Sequence, residues 1–172
     1  MKIKKIENAT DFKSVFYSFN KKIYKYIFLR IGYRKALAED MTQEVFMKVW
    51  EKRELYNTKK SFKTWIYTIA RNLLIDFYRK QDTRKKYRKA IDEIELNSIG
   101  QDADFDCEII IDYVLEKMNE LSEAEKELII LRYIEQLEIE EIAEIINHKY
   151  DTTKVYINRA LHKLQEILKQ DA

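Results

Sequence analysis

The side chains that could start covalent chemistry are few in this 172-residue chain: two histidines, one cysteine and five serines. They are scattered over different predicted elements, and no nucleophile stands in register with a base. Cys107 has no second cysteine to pair with, and zinc-ligand spacings of Cys and His are absent, so neither a disulfide nor a metal is expected. Glycine-rich phosphate loops need several glycines in one short stretch, and only Gly32 and Gly100 occur. No metal or organic cofactor is implied, and adjacent carboxylates such as Glu140 and Glu141 read as a solvated helix face. Charged and aromatic residues are plentiful by contrast, and the contacts they could make are with nucleic acid. Tyr56, Trp65, Tyr67 and Tyr78 lie among Lys59, Lys60, Lys63, Arg71 and Arg79. Aromatic rings with basic neighbours hold unpaired bases by stacking while the charges hold phosphates. Trp65 falls on an apolar stripe and reads more as packing, whereas Tyr67 falls off it and is open to either role. Near the C-terminus, Thr152, Lys154, Val155, Asn158, Arg159 and His162 share the polar side of a predicted helix. Lys154 and Arg159 suit phosphates, and Asn158 can pair with an adenine edge.

The charge distribution supports that reading. A net charge of +2 conceals a division of the chain into opposite halves. Residues 1–90 hold 24 Lys/Arg against 9 Asp/Glu, net +15; residues 91–172 hold 8 against 21, net −13. The run Arg79 to Lys89 has seven basic residues in eleven, and Ile91 to Asp112 follows with eight acidic residues and no basic one. Lys149 to Ala172 turns mildly basic again. One such run is often only solvated surface. The ordered alternation suggests two nucleic-acid-facing modules joined by an acidic connector.

The elements that must position these residues are helices. The chain has no proline, 46% hydrophobic and 36% charged residues, which disfavours turn-dense β folds and disorder alike. Phe12, Phe16, Phe19, Ile23, Ile27 and Ile31 mark a first amphipathic helix, capped by Thr10 or Asp11 and closed at Gly32. A second runs from about Lys35 to Glu54 on Leu37, Met41, Val45 and Val49. Asp40, Gln43, Glu44 and Met47 occupy another of its faces at i, i+3, i+4 and i+7. After a polar loop, Leu55 to Lys60, Ser61 caps a third helix with Phe62, Trp65, Ile66, Ile69, Leu73 and Phe77 inward. Lys63, Tyr67, Arg71, Asn72, Asp76 and Arg79 lie mostly off that stripe. Residues 90–105 read as an acidic linker. Helix resumes near Asp106, and Ser122 to Glu125 spells a capping box. A helix with Leu128, Leu131 and Ile134, a short helix from Glu138 to Ile146 and a last helix with Ile157, Leu161, Leu164 and Leu168 inward complete a helix-turn-helix. The expectation is an all-α protein of two small helical domains, 1–89 and 106–172, joined by the linker. Apolar runs do not exceed four residues, so no membrane insertion is expected. The N-terminus lacks a secretory apolar core, and a reducing cytoplasm is the expected location.

Three stretches in this order carry a resemblance: Ala36 to Trp50 (ALAEDMTQEVFMKVW), Ser61 to Lys80 (SFKTWIYTIARNLLIDFYRK) and Leu121 to Leu168. Together they resemble bacterial RNA polymerase sigma factors of the extracytoplasmic-function group, which keep only regions two and four. The likeness spans about Asp11 to Leu168. It implies a non-enzymatic subunit that binds core RNA polymerase, directs it to promoter DNA and assists melting. By the same likeness Asp40, Gln43, Glu44 and Met47 contact polymerase. Tyr56, Asn57, Lys63, Tyr67, Arg71, Asn72, Asp76 and Arg79 capture the minus-ten strand. Lys149, Thr152, Lys154, Val155, Asn158, Arg159 and His162 belong to the helix that reads the minus-thirty-five element. An anti-sigma factor or another recruiting protein is a further partner that the resemblance admits. The acidic linker, in the family, threads polymerase channels, where its carboxylates can stand in for phosphates.

The last stretch departs from the pattern. Gln136 replaces a glycine, Glu138 a capping Ser or Thr, and Asn147 the glycine of the turn, a position Asn tolerates. Lys149 takes the capping serine's place, so Asp151 or Thr152 is expected to cap. Val155 and Tyr156 stand where Ser and Arg are usual. These departures motivate a second reading, a polymerase-recruiting adaptor placed on DNA mainly by a partner protein. An independent helix-turn-helix repressor leaves Asp40, Gln43 and Glu44 without a purpose.

Overall fold

The computed structural model describes the backbone of residues 6–88 and 114–170, and side chains within them except at Ala9 and residues 82–88. The acidic linker lies outside the described residues, as do the side chains of most of the basic run before it. All described regular structure is helical. Helix α1 spans Ala9–Arg30, α2 Lys35–Glu51 and α3 Phe62–Arg88. The second half holds a helical turn at 114–117, a 3-10 turn Met118–Glu120, α4 Glu123–Ile129, a π turn Ile130–Ile134, α5 Ile139–Ile146 and α6 Tyr150–Gln170.

Local chemistry explains most boundaries. Asn8, rather than Thr10 or Asp11, caps α1: its Oδ1 accepts from the amides of Thr10 and Asp11 at 2.9 and 3.0 Å. An Asn one turn earlier offers the same acceptor with a shorter reach, so the helix begins sooner. Gly32 closes α1 at φ 73°, a left-handed conformation that glycine adopts without steric cost. α2 ends at Glu51 and not Glu54, because the chain tightens into a 3-10 turn over Arg53–Leu55. The Ser122 capping box forms as its spacing predicts, with Ser122 N–H donating to Glu125 at 2.8 Å and Glu125 N–H to Ser122 Oγ at 3.4 Å. Glu138 precedes α5 and donates its amide to Glu141 at 3.0 Å. Asn147 ends α5 in the left-handed region, φ 58° and ψ 49°. The expectation for the next cap is corrected. α6 already begins at Tyr150, so Asp151 and Thr152 lie inside its first turn, where the Asp151 charge complements the helix dipole.

α1 packs on α2 and α2 on α3, while α4 and α5 both pack against α6. Ile23, Ile27, Val45, Val49, Ile66, Ala70 and Leu74 fill the first group; Leu131, Leu137, Ile142, Ile157 and Ala160 fill the second. The two groups meet. α3 packs on α5, and α1 on α4 and the π turn, so the buried residues of both form one contiguous cluster.

Candidate nucleic-acid interface

The expected single-strand face lies on α3 and the loop before it. α3 projects Lys63, Arg71, Asn72, Asp76 and Arg79 away from Ile66, Leu73 and Leu74, because three- and four-residue steps separate the apolar side from the polar one. Asn72, Asp76 and Arg79 are exposed, and Asp76 pairs with Arg79 at 3.2 Å. Asn57 is exposed in the loop, where its Oδ1 accepts from the Lys59 amide at 3.0 Å and so shapes the turn.

Two of the aromatic candidates are buried. Tyr67 is fully buried, at 0% exposure. Its ring meets Tyr26 edge-on at 5.4 Å and its hydroxyl donates to Glu135 at 2.5 Å. Tyr56 is buried too, packed at 5.2 Å from Phe62 and 5.0 Å from Trp65, with its hydroxyl donating to the Lys60 carbonyl. Neither ring is open to a base in this conformation. Trp65 packs, as its place on the stripe predicts. Tyr78 is part-buried, and its hydroxyl donates to the Arg30 carbonyl.

What covers Tyr67 is the second helical group. Glu127, on α4, accepts from the Tyr26 hydroxyl at 2.8 Å and from Arg71 Nε at 3.2 Å. The same carboxylate lies 2.9 Å from Nη1 of Arg30, whose Nε is 3.4 Å from Glu123. Arg30 is 5% exposed, and its Nε and Nη1 are buried without an aligned acceptor among the described residues. The contact is therefore one of charge against charge rather than a directed hydrogen bond. Glu141 accepts from Lys63 at 3.1 Å, and Glu144 meets Lys60 at 2.8 Å. Tyr33, at the end of α1, donates to the Leu115 carbonyl at 3.0 Å.

The electrostatics follow from this enclosure. Burial, and then the Glu127 charge, hold the Tyr26 phenol far above its usual range. Burial and Glu135 do the same to Tyr67, and burial with Glu123 to Tyr78. Burial pulls Arg30 down, but Tyr26, Glu127, Tyr78 and Glu123 outweigh it and the guanidinium stays charged. Burial pushes the Glu135 carboxyl up, against the hydrogen bond from Tyr67 that favours its ionised form.

Two further faces remain open. Asp40, Gln43, Glu44 and Met47 are all exposed along α2, with Met47 at 62%. Trp50 continues that helix, its ring covered by the Arg53 guanidinium at 4.3 Å. On α6, Lys154, Val155, Asn158, Arg159 and His162 are exposed, Thr152 is half-buried, and Lys149 is exposed just before the helix. His162 Nδ1 lies 3.4 Å from Glu166. Sequence reasoning gave no binding role to Tyr150 or Tyr156, both exposed on this helix; His148 meets the Tyr156 ring edge-on at 5.7 Å. It also overlooked Arg30, Tyr26, Glu127 and Glu135. The available signal was an arginine and a glutamate each set against a four-residue apolar run, Tyr26 to Leu29 and Leu128 to Leu131.

Among the described residues no group of His, Cys, Asp and Glu could hold a metal ion, and no helix is long and apolar enough to cross a membrane. Two family comparisons match: Sigma-70 region 2 over residues 16–84 and Sigma-70, region 4 over residues 111–164. RNA polymerase sigma factor SigV of Bacillus subtilis is 36% identical over 137 residues, covering 78% of each chain. ECF RNA polymerase sigma factor BldN of Streptomyces coelicolor is 26% identical over 167 residues; the match takes in 95% of this chain and 62% of that longer relative. Among solved structures, the sigma factor RpoE in complex with the anti-sigma factor NepR from Bartonella quintana matches with a TM-score of 0.78 and 26% identity. That likeness covers 95% of this chain and all of the other.

Proposed function

Because the chain belongs to the sigma-70 family, among the extracytoplasmic-function factors that bind core RNA polymerase and direct it to promoter DNA, we propose that it divides this work among the three faces described above. The observation that carries the reading is the open face of α2. Asp40, Gln43, Glu44 and Met47 stand exposed together on the region-two helix, with their apolar neighbours Met41 and Val45 turned inward. Carboxylates and an amide flanking an exposed thioether suit a partner that is basic and partly apolar, the polymerase clamp in this reading. Asn57, Lys63, Arg71, Asn72, Asp76 and Arg79 hold the minus-ten strand, with Tyr56 and Tyr67 reaching bases only if the surrounding packing yields. Lys149, Thr152, Lys154, Val155, Asn158, Arg159 and His162 meet the minus-thirty-five duplex.

In the same reading residues 1–89 form the polymerase- and strand-binding domain, 90–105 a linker and 106–172 the duplex reader. The factor works in the cytoplasm and has no catalysis of its own. An anti-sigma factor is a partner by likeness to the solved RpoE–NepR complex. The test replaces Asp40, Gln43 and Glu44 together with alanine and measures association with core polymerase. The expected result is loss of association with helicity unchanged, since all three side chains are exposed. Association at wild-type affinity would sink the assignment.

A further inference from the structure

The outer side of α1 has a charge pattern that the three faces above leave unused. Val15, Ile23, Tyr26 and Ile27 turn into the core. Lys13, Tyr17, Lys21 and Lys25 follow one another at four-residue steps on the nearly opposite side, all exposed. Tyr17 is 71% exposed, with Lys13 Nζ 5.9 Å from its ring centroid. No Asp or Glu occurs from Phe12 to Ala38. None of the three lysines forms an ion pair among the described residues, and Lys25 reaches Glu135 only through its field. Like charges one turn apart, such as Lys21 and Lys25, destabilise a helix, and a polyanion laid along them would relieve that repulsion.

We propose that this side of α1 is a fourth contact surface, one that takes the phosphate backbone of duplex DNA. It shares no residue with the three faces assigned above. The chemistry of the stripe selects the partner. Protein interfaces are depleted in lysine and favour aromatic rings, methionine and arginine. A helix lying on a membrane turns its apolar side outward, whereas that of α1 is buried. Single strands need rings on which bases stack, and among the described residues of α1 only Tyr17 is an exposed ring. A duplex, by contrast, presents one charge per about 1.7 Å of axis. From Lys13 to Lys25 the stripe is about 18 Å long, which matches about five base pairs. Its lysines meet phosphate oxygens as point charges, and the Tyr17 hydroxyl donates to another. Such contacts fix position and add affinity without reading sequence.

The experiment assembles holoenzyme from core polymerase and the full chain and titrates a fluorescein-labelled promoter duplex at several salt concentrations. Lys13→Gln/Lys21→Gln/Lys25→Gln is compared with wild type. Its three positions are exposed, and thermal melts report whether it folds. The slope of log affinity against log salt should shrink by about 2.7, roughly 0.9 for each lysine removed. Over a fourfold rise in salt the variant should therefore lose about fortyfold less affinity than wild type. Hydroxyl-radical footprinting should show a stretch of about five base pairs protected by wild type and open in the variant. The charge-conserving Lys13→Arg/Lys21→Arg/Lys25→Arg chain should keep both the slope and the footprint. A slope and footprint unchanged in the Gln variant would mean a merely solvated side and overturn the proposal. Weaker association of the Gln variant with core polymerase in the absence of DNA, at wild-type salt slope, would give the surface to a protein partner and overturn it equally. A slope that shrinks as much on an isolated single strand, with the duplex footprint intact, would rule out the duplex as the ligand.

Discussion

Glu125 shows how one side chain can serve two elements. Its carboxylate accepts from Ser122 N–H and Oγ at 2.8 and 2.7 Å, and from Lys163 of α6 at 2.8 Å. The Lys163 hydrogen bond, and then that from Ser122, hold its carboxyl at about 2. A carboxyl depressed in the folded state stabilises the fold above its unfolded value and loses that contribution as the pH falls through the folded one. The window therefore runs from the ordinary glutamate value, about 4.3, down to about 2. Lys163→Ala is expected to flatten the acid dependence of the melting temperature across that window, measured by circular dichroism. Glu135 has the opposite sign. Its carboxyl is raised by burial, so protonation as the pH falls favours the packed state. On α6, side-chain chemistry separates two roles. Lys154→Ala should weaken duplex binding across all sequences, and Asn158→Ala should shift the preferred base, as read from a promoter library titrated with polymerase present. Uniform loss in both variants would place Asn158 on the backbone instead.

At the scale of elements, the helix-turn-helix depends on a left-handed residue supplied without glycine. Asn147 ends α5 at φ 58° while the His148 amide donates to the Ala143 carbonyl at 2.9 Å. Asn147→Ala is expected to cost about 1–2 kcal/mol, and Asn147→Gly to be neutral or stabilising; denaturant titration of the two distinguishes conformational cost from loss of a side-chain contact. Helix content, order and inward faces were legible in the chain because three- and four-residue spacing reports directly on which side is buried. Ile23, Ile27, Val45, Ile66 and Ile157 all lie inward as their spacing predicts. The ends were less legible. Asn8 competes with Thr10 and Asp11 for one capping role, and Glu51 gives way to a 3-10 turn that no composition signal marks.

At the scale of the molecule, the spacing of one helix says nothing about what a second unit lays over it. Tyr67 is off the apolar stripe of α3 and is nevertheless fully buried, because the face it belongs to is covered by α5 and the π turn. Arg30 and Glu127 were hidden for the same reason: each looks like a surface charge until its partner some hundred positions away is known. The contact between the two groups combines apolar burial with ion pairs of very different exposure. Removing one partner of a buried pair is costly, so Glu127→Ala should lower stability by about 3–5 kcal/mol. Raising the salt should instead loosen the exposed Lys60–Glu144 and half-exposed Lys63–Glu141 pairs first. Calorimetry should show one unfolding transition at low ionic strength resolving into two as salt rises. A single transition at every salt concentration would mean that the apolar part of the contact dominates.

The π turn has a consequence for how such chains are compared. Over Ile130–Ile134 the backbone closes by a five-residue step, with Glu135 N–H donating to the Ile130 carbonyl at 2.9 Å. Such a step accommodates one residue more than an α-helix would over the same rise. Excising the exposed Tyr133 would let an ordinary four-residue step close the same turn, leaving the side chains that follow in nearly the same direction. Glu135 would then still face the Tyr67 hydroxyl. Among homologous chains a one-residue gap at this point is therefore close to neutral in register. It leaves the residue after the turn able to reach across to the other half of the molecule.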